Sequence, residues 1–148
     1  MDKWDKRFME LAETVANWSS CYQDNRHVGA VVVKDKRILT TGYNGAPSGI
    51  ESCAERGECL RRVKNIASGT MQEVCYAVHA EQNAIIQAGQ DRCMGASMYI
   101  YGHDFICILC KRFIVQSGIK NCILKKDDNS EIIKVSVDDL RKELEEQI

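Results

Sequence analysis

The sequence predicts an α/β domain in which helices cover both faces of a central mixed sheet. Residues 28–33 form a continuous run of small and β-branched residues, which is typical of a buried strand. A polar turn at residues 34–37 separates this run from a second strand at residues 38–42, so we expect the two strands to form a hairpin. Helical and strand patterns then alternate along the rest of the chain, as they do in sheets with helices on both sides.

The remaining elements follow from apolar periodicity and from capping residues. A first helix over residues 4–20, capped by Asp2 or Asp5, carries apolar residues at helical spacing: Phe8, Leu11, Ala12, Val15 and Trp18. The same criteria predict helices at 79–89 and 107–117, strands at 97–101, 119–124 and 131–137, and a last helix capped by Ser136 or Asp138 and running to 147. The helices that begin near residues 79 and 107 are expected at one end of the sheet, where such folds place their sites.

The composition describes an ordinary globular chain and excludes several classes of function. The 148 residues suit one domain spanning residues 1–148, and 45% hydrophobic with 28% charged residues is typical of a protein with a packed core. A net charge of -1 gives no basic field for nucleic acid, which argues against a polynucleotide partner. We expect no membrane association and a cytoplasmic location, because the chain shows neither a long apolar run nor a signal-peptide core.

A histidine, a carboxylate and a cysteine pair together form a predicted metal site. His79, Cys107 and Cys110 offer one imidazole and two thiolates, and a catalytic zinc ion takes three protein ligands and keeps its fourth position for water. Cysteines three residues apart lie on one face of a helix, so both sulfurs can reach one ion. Glu81 lies two residues from a ligand, where it is better placed as a general base and acid than as a fourth ligand.

Each part of this motif has an ordinary explanation when it is taken alone. A Cys-x-x-Cys pair is also typical of a redox protein, and a lone histidine on an apolar segment is more often a core residue. The combination of His-x-Glu with Cys-x-x-Cys matches the signature of zinc deaminases, which favours the metal site. A zinc-stabilised module that binds nucleotides without catalysis is a further alternative, although a structural site has no use for Glu81.

Four segments carry a resemblance to a known family: residues 28–33, 42–49 and 79–85 and the pair Cys107 and Cys110. Over about residues 28–124 the chain resembles the cytidine and deoxycytidylate deaminase superfamily, and within it the deoxycytidylate (dCMP) deaminases. The resemblance implies a three-layer α/β/α fold and a zinc-dependent hydrolysis of dCMP to dUMP. Related deaminases that act on another free cytosine nucleoside or nucleotide, on a modified base or on transfer RNA are alternatives. Ile106 departs from the family pattern, which usually has proline before the first cysteine.

The resemblance also implies roles for residues around the metal. The implied substrate-binding residues are Val28, Asn44, Ala80 and Phe105. Asn44 would lie against the sugar, and the Phe105 carbonyl would accept a hydrogen bond from the amino group of the base. In dCMP deaminases the loop after the second strand also contributes to binding a regulatory triphosphate, which suggests dCTP and dTTP as effectors; here that loop is Gly42, Tyr43, Asn44 and Gly45. Related enzymes assemble as dimers or hexamers, so a homo-oligomer is expected.

Four more cysteines lie in or near an insertion at about residues 50–77, for which we expect a short helix and a loop through residues 68–70. They are Cys21, Cys53, Cys59 and Cys75. Their dispersed spacing alone favours reduced thiols. The resemblance favours a second, structural zinc, because some dCMP deaminases place its ligands at the end of the first helix and in this insertion. A site with four thiolates would be closed to water. Of the last two cysteines, Cys93 is expected in a loop and Cys122 in the core.

Overall fold

A five-stranded mixed sheet forms the middle layer of the protein. The structure, a computed structural model, describes residues 2–22, 26–67 and 74–147. The strands are β1 (Gly29–Lys34), β2 (Arg37–Tyr43), β3 (Ser97–Tyr101), β4 (Asn121–Lys125) and β5 (Ile133–Ser136). Their order across the sheet is β2-β1-β3-β4-β5. Strands β3 and β4 are parallel, and the remaining neighbouring pairs are antiparallel. The predicted mixed sheet is therefore confirmed.

A two-residue turn joins β1 to β2. Asp35 and Lys36 both have positive φ angles, of 52° and 62°. Two consecutive left-handed residues are what a type I′ turn requires, and this turn matches the twist of the flanking strands. The register shifts between Val32 and Val33, so the ladder is irregular close to the turn. The predicted hairpin is present, with β2 one residue longer at each end than the sequence pattern indicated.

Helices flank the sheet on both sides. They are α1 (Lys3–Ala16), α2 (Cys53–Arg56), α3 (Leu60–Val63), α4 (Ala80–Ala88), α5 (Gln90–Cys93), α6 (Ile108–Ser117) and α7 (Val137–Glu145). Alternate residues of β1 point to opposite faces of the sheet. Val31 and Val33 pack in the apolar cluster with α1, whereas Ala30 and Val32 pack in the cluster with α4, α6 and α7. This alternation follows from the two-residue period of a strand. It produces the expected three layers.

Two glycines of the hairpin let helix backbones lie directly on the sheet. A Cβ on Gly29 would collide with the backbone of α1 at Ala12 and Ala16. A Cβ on Gly42 would collide with the Ala80 carbonyl oxygen and the Ala84 amide nitrogen of α4. The absence of a side chain at Gly42 thus sets how closely the start of α4 approaches β2.

The first helix ends four residues earlier than predicted. Asp2 caps its start by accepting a hydrogen bond from the Asp5 amide at 2.8 Å. After Ala16 the chain leaves the helix, because the Ser19 hydroxyl and the Ser20 amide both donate to the Asn44 carbonyl. Trp18, expected on the buried face, is instead 58% exposed.

The other differences concern loops. Cys93, expected in a loop, is fully buried at the end of α5, where it fills the core under α4 and α6. The insertion contains two short helices, α2 and α3, rather than one. The loop expected through residues 68–70 lies outside the described residues. Within the described residues, none of the helices has the length and apolar character needed to cross a membrane.

Replacing Gly42 with alanine tests the close packing of α4 on β2. The new methyl group would meet backbone atoms that cannot rotate away, so we expect a loss of about 1–3 kcal/mol in unfolding free energy. Gly45→Ala is the matched control, because its Cβ would meet the Ser20 hydroxyl, the end of a side chain that can move. Urea denaturation measures both variants. Equal losses for the two would contradict the packing described for Gly42.

Candidate active site

The predicted metal ligands come together at the starts of two helices. His79 is the N-cap of α4 and Cys107 is the N-cap of α6, while Cys110 lies in the first turn of α6. The Gln82 side chain accepts a hydrogen bond from the His79 amide at 3.0 Å, which fixes the backbone at the ligand. Unpaired amides at a helix start carry partial positive charge, and this favours thiolates at that position.

The three donor atoms have the spacing that one ion requires. The Nδ1 atom of His79 lies 3.3 Å from the Cys107 sulfur and 3.3 Å from the Cys110 sulfur. The ligand atoms of all three residues lie within 4.8 Å of one another. Tetrahedral coordination with Zn–S bonds of about 2.3 Å and Zn–N bonds of about 2.1 Å would place nitrogen and sulfur about 3.6 Å apart. One nitrogen and two sulfurs at this spacing fit zinc and leave a fourth position open.

The two sulfurs have opposite shifts in pKa because they contact each other. The hydrogen bond from Cys110, which is the largest cause, and the contact with His79 together lower the pKa of Cys107 to about 4, against the opposing effect of burial. The same contact, together with burial, raises the pKa of Cys110 above its ordinary value. The hydrogen bond with Cys107 raises the pKa of His79. A divalent cation between the sulfurs would stabilise both as thiolates, which is a further reason why this set suits a metal.

Glu81 is buried beside the ligand group without belonging to it. Its side chain is 3% exposed, and it lines the same cavity as His79 and Cys107. The group of donors close enough to hold an ion contains the histidine and the two cysteines but not this carboxylate. Its negative charge contributes to the raised pKa of Cys110, and to the raised pKa of Cys122, for which burial is the larger cause. A buried carboxylate next to an open metal position can accept and donate protons there.

A cavity of about 190 Å³ opens next to Glu81. All four residues implied as substrate-binding line it: Val28, Asn44, Ala80 and Phe105. Phe105 is 58% exposed, and its ring lies 4.8 Å from that of His103. Ile106, in the place of the family's usual proline, is buried in the core and anchors the chain before α6. The fold thus brings the four residues that the resemblance implies for substrate binding to one cavity.

Asn44 connects several segments at the rim of this cavity. Its side-chain oxygen accepts a hydrogen bond from the Val28 amide at 2.9 Å, and its side-chain nitrogen donates to the Arg26 carbonyl at 2.7 Å. Its own carbonyl accepts from Ser19 and Ser20. The side chain therefore holds the segment before β1 against the end of β2.

The other residues of the predicted effector loop lie away from the cavity wall. Gly42 contacts the backbone of α4, and Tyr43 is exposed beside Trp18, with its carbonyl accepting a hydrogen bond from Asn83. Gly45 pairs with Val78 in an isolated bridge just before His79. In this structure the loop links β2 to the start of α4.

Within the part of the chain that the structure describes, the four cysteines expected to bind a second zinc are not a close group of donors. Cys21, Cys59 and Cys75 line the cavity, whereas the Cys53 sulfur lies 3.9 Å from the Tyr76 hydroxyl. Among the described residues, the set at His79 is the one group of donors close enough to hold an ion. All eight cysteines lie in described parts of the chain, and none of them is joined in a disulfide there.

Four further residues line the cavity: Arg26, Arg61, Ala77 and His103. Burial lowers the pKa of His103, and the charges of His79 and Arg26 lower it further, against the opposing effect of Glu81. His103 lies four residues before Cys107 but outside the ligand group. The two arginines come from segments far apart in sequence, so only the fold brings them together.

Comparison with known proteins identifies the family of the chain. The family model of the cytidine and deoxycytidylate deaminase zinc-binding region matches residues 2–126. The chain belongs to this deaminase family. The deoxycytidylate deaminase of Mycobacterium phage D29 is 37% identical over 131 residues, which cover 84% of this chain and 95% of the phage enzyme. That of Schizosaccharomyces pombe is 38% identical over 120 residues, and the match spans 81% of this chain but 36% of the yeast enzyme.

Solved structures of the deaminase family share the fold. The dCMP deaminase from the cyanophage S-TIM5 in apo form gives a TM-score of 0.63 at 25% identity, covering 96% of this chain and 94% of the phage chain. The same phage enzyme, solved in complex with dCMP and dUMP, gives a TM-score of 0.56 at 29% identity over 81% and 79% of the two chains. The deaminase-type α/β/α fold predicted from the sequence is confirmed.

Removing one sulfur tests the ligand group directly. We expect Cys110→Ala to bind one zinc ion fewer per folded chain than the wild type, because two donors hold zinc much more weakly than three. Cys122→Ala is the matched control, since it removes another fully buried thiol from the same face of the sheet. Metal analysis of purified, dialysed protein measures both. A Cys110→Ala chain with the full zinc content would show that the ion is held elsewhere.

Proposed function

We propose that the chain is a zinc-dependent deaminase that hydrolyses dCMP to dUMP and ammonia. The observation that carries the proposal is the carboxylate of Glu81, buried beside His79 and Cys107 in the wall of one cavity. A structural metal site has no use for such a group, so the arrangement favours an enzyme over a zinc-stabilised binding module. The deoxycytidylate deaminases among the relatives, and the S-TIM5 enzyme solved with dCMP and dUMP, support dCMP as the substrate.

The reaction replaces the C4–N bond of cytosine with a bond from C4 to oxygen. His79, Cys107 and Cys110 would hold zinc, which when bound supplies a water acidic enough to attack near neutral pH. Glu81 takes one proton from the attacking water and passes it to N3 of the base. It then carries the remaining hydroxyl proton to the amino group, so that ammonia leaves and the uracil carbonyl forms. Burial of Glu81 keeps these transfers away from bulk water.

The cavity residues would orient the nucleotide for this chemistry. Phe105 offers its backbone carbonyl to the amino group of the base, and Val28 and Ala80 form apolar wall beside it. An asparagine side chain has two N–H donors and an oxygen with two lone pairs. Since the contacts of Asn44 to Arg26 and Val28 use one of each, one donor and one lone pair remain for a sugar hydroxyl.

A second, structural zinc is part of the same proposal. Its ligands would be Cys21, Cys53, Cys59 and Cys75. Cys21, Cys59 and Cys75 line one cavity, and the Cys53 sulfur contacts Tyr76, the residue next to Cys75, which supports a site that closes when the ion binds. Such a site would hold the insertion that contains α2 and α3 against the rest of the domain.

We further propose that the chain works in the cytoplasm as a homo-oligomer, a dimer or a hexamer, whose activity responds to dCTP and dTTP. Exposed apolar side chains on β2 and α4, Ile38 and Ile86, support a subunit interface at that side of the sheet. The loop at residues 42–45 would take part in the response to the triphosphates. Sedimentation velocity with and without dCTP or dTTP tests both the assembly and its dependence on these nucleotides.

Glu81→Gln separates proton transfer from metal binding. The amide has the shape of the carboxylate but cannot carry a proton, so we expect kcat for dCMP to fall by about 10²–10⁴-fold while the zinc content stays unchanged. Gln87→Ala, on the exposed side of the same helix, is the control and should retain wild-type activity. The loss of cytosine absorbance and metal analysis measure the two quantities. Near-normal turnover in Glu81→Gln would remove the basis of the mechanism.

Zinc stoichiometry tests the second site. We expect two zinc ions per wild-type chain and one per chain in Cys53→Ala, because a site with four thiolates cannot close without that sulfur. Cys93→Ala is the matched control, as Cys93 is a buried thiol outside both ligand sets. A wild-type protein with a single equivalent of zinc would show that the four cysteines are ordinary thiols.

A further inference from the structure

The cavity beside Glu81 has a marked separation of charge. Arg26 and Arg61 both line it, and Glu81 is the only carboxylate in its wall among the residues that the structure describes. Glu81 is 3% exposed, whereas Arg26 is exposed and Arg61 is half-buried. The negative charge is therefore deep in the cavity and the two positive charges are at its rim. The chain as a whole has a net charge of -1, so this positive rim is a local feature.

We propose that Arg26 and Arg61 together bind the 5′-phosphate of the nucleotide substrate and give the enzyme its preference for a monophosphate over a nucleoside. This inference rests on the proposed deaminase function. A nucleotide whose base reaches Glu81 would hold its phosphate towards the rim of the cavity. Guanidinium groups match phosphate oxygens through paired N–H donors, and such charge-assisted hydrogen bonds are stronger than neutral ones. A neutral nucleoside offers these two cations no partner.

Arg26 is held in place by residues that already belong to the cavity. The Asn44 side chain donates to the Arg26 carbonyl at 2.7 Å and accepts from the Val28 amide at 2.9 Å, so the backbone on both sides of residue 27 is fixed. The Arg26 side chain is exposed and lines the same cavity as His103 and Glu81. Arg26 therefore belongs to the cavity wall.

Arg61 reaches the cavity from the insertion. It lies in α3, two residues after Cys59, which lines the same cavity. One guanidinium nitrogen donates to the Ala67 carbonyl at 2.7 Å, which orients the side chain. A guanidinium has five N–H donors in a fixed fork, so it can keep this bond and bind phosphate as well. The insertion would then do more than cover the cavity, because it supplies one of the two cations that select the substrate.

The experiment compares dCMP with deoxycytidine in Arg26→Gln, in Arg61→Gln and in the double variant. We expect the ratio of kcat/KM for dCMP to that for deoxycytidine to fall by about 10- to 100-fold for each single change, as for the loss of a hydrogen bond to a charged group. Arg26→Lys keeps the charge without the fork and should give an intermediate ratio. Arg62→Gln is the control, because this neighbouring arginine is exposed and does not line the cavity.

Calorimetric binding of dUMP and deoxyuridine provides a readout that does not depend on turnover. The affinity for dUMP should fall in the arginine variants by about the same factor as the kinetic ratio. If the kinetic ratio and the dUMP affinity both stayed at wild-type values in the folded double variant, the inference would be overturned. The same holds if dUMP binding were unchanged and only the response to dCTP were lost, since the arginines would then serve an effector. Should the wild type fail to deaminate dCMP, the proposed function would fall, while dUMP binding would still test the two arginines.

Discussion

The meeting of two helix starts at one end of the sheet is the constraint on which the site depends. His79 precedes α4 and Cys107 precedes α6, so both helices begin at the ligand group, and the Cys110 amide donates to the Cys107 sulfur. Two packing features make the meeting possible. Gly42 has no side chain, which lets α4 lie on β2, and Ile106 is buried in the core just before α6 begins. The position of the ligands is thus determined by backbone packing as much as by the ligands themselves.

The charges around this point are arranged by depth. Cys110 and Glu81 are buried and Cys107 is half-buried. The hydrogen bond with Cys107, burial and the charge of Glu81 all raise the pKa of Cys110. Such a concentration of acidic groups is stable only with positive charge nearby, which a metal ion and the helix starts supply. Further out, the rim is cationic. A small anionic ligand with a polar ring matches this gradient better than a long polyanion, for which the surface as a whole has no net attraction.

The metal ligands could be predicted from the sequence because each motif is short and the chemistry fixes its spacing. The strands could be predicted closely for a similar reason, because a short run of β-branched residues such as that of β1 is typical of a buried strand. The end of α1 could not be predicted, because Ser19 and Ser20 leave the helical pattern to bond with Asn44, a partner distant in sequence. Arg26 and Arg61 could not be predicted as cavity residues for the same reason, because a cavity wall assembled from separate segments has no sequence signature.

The two side-chain hydrogen bonds of Asn44 have a mechanical consequence. They tie the strip of chain that ends in Val28 to the last residues of β2, and the bridge between Gly45 and Val78 extends that tie to the residue before His79. Any molecule that shifts residues 42–45 would therefore strain the mouth of the cavity and the metal ligand at once. Linkage requires the influence to be reciprocal, so a ligand seated in the cavity would change the affinity of that loop for its own ligand by the same factor.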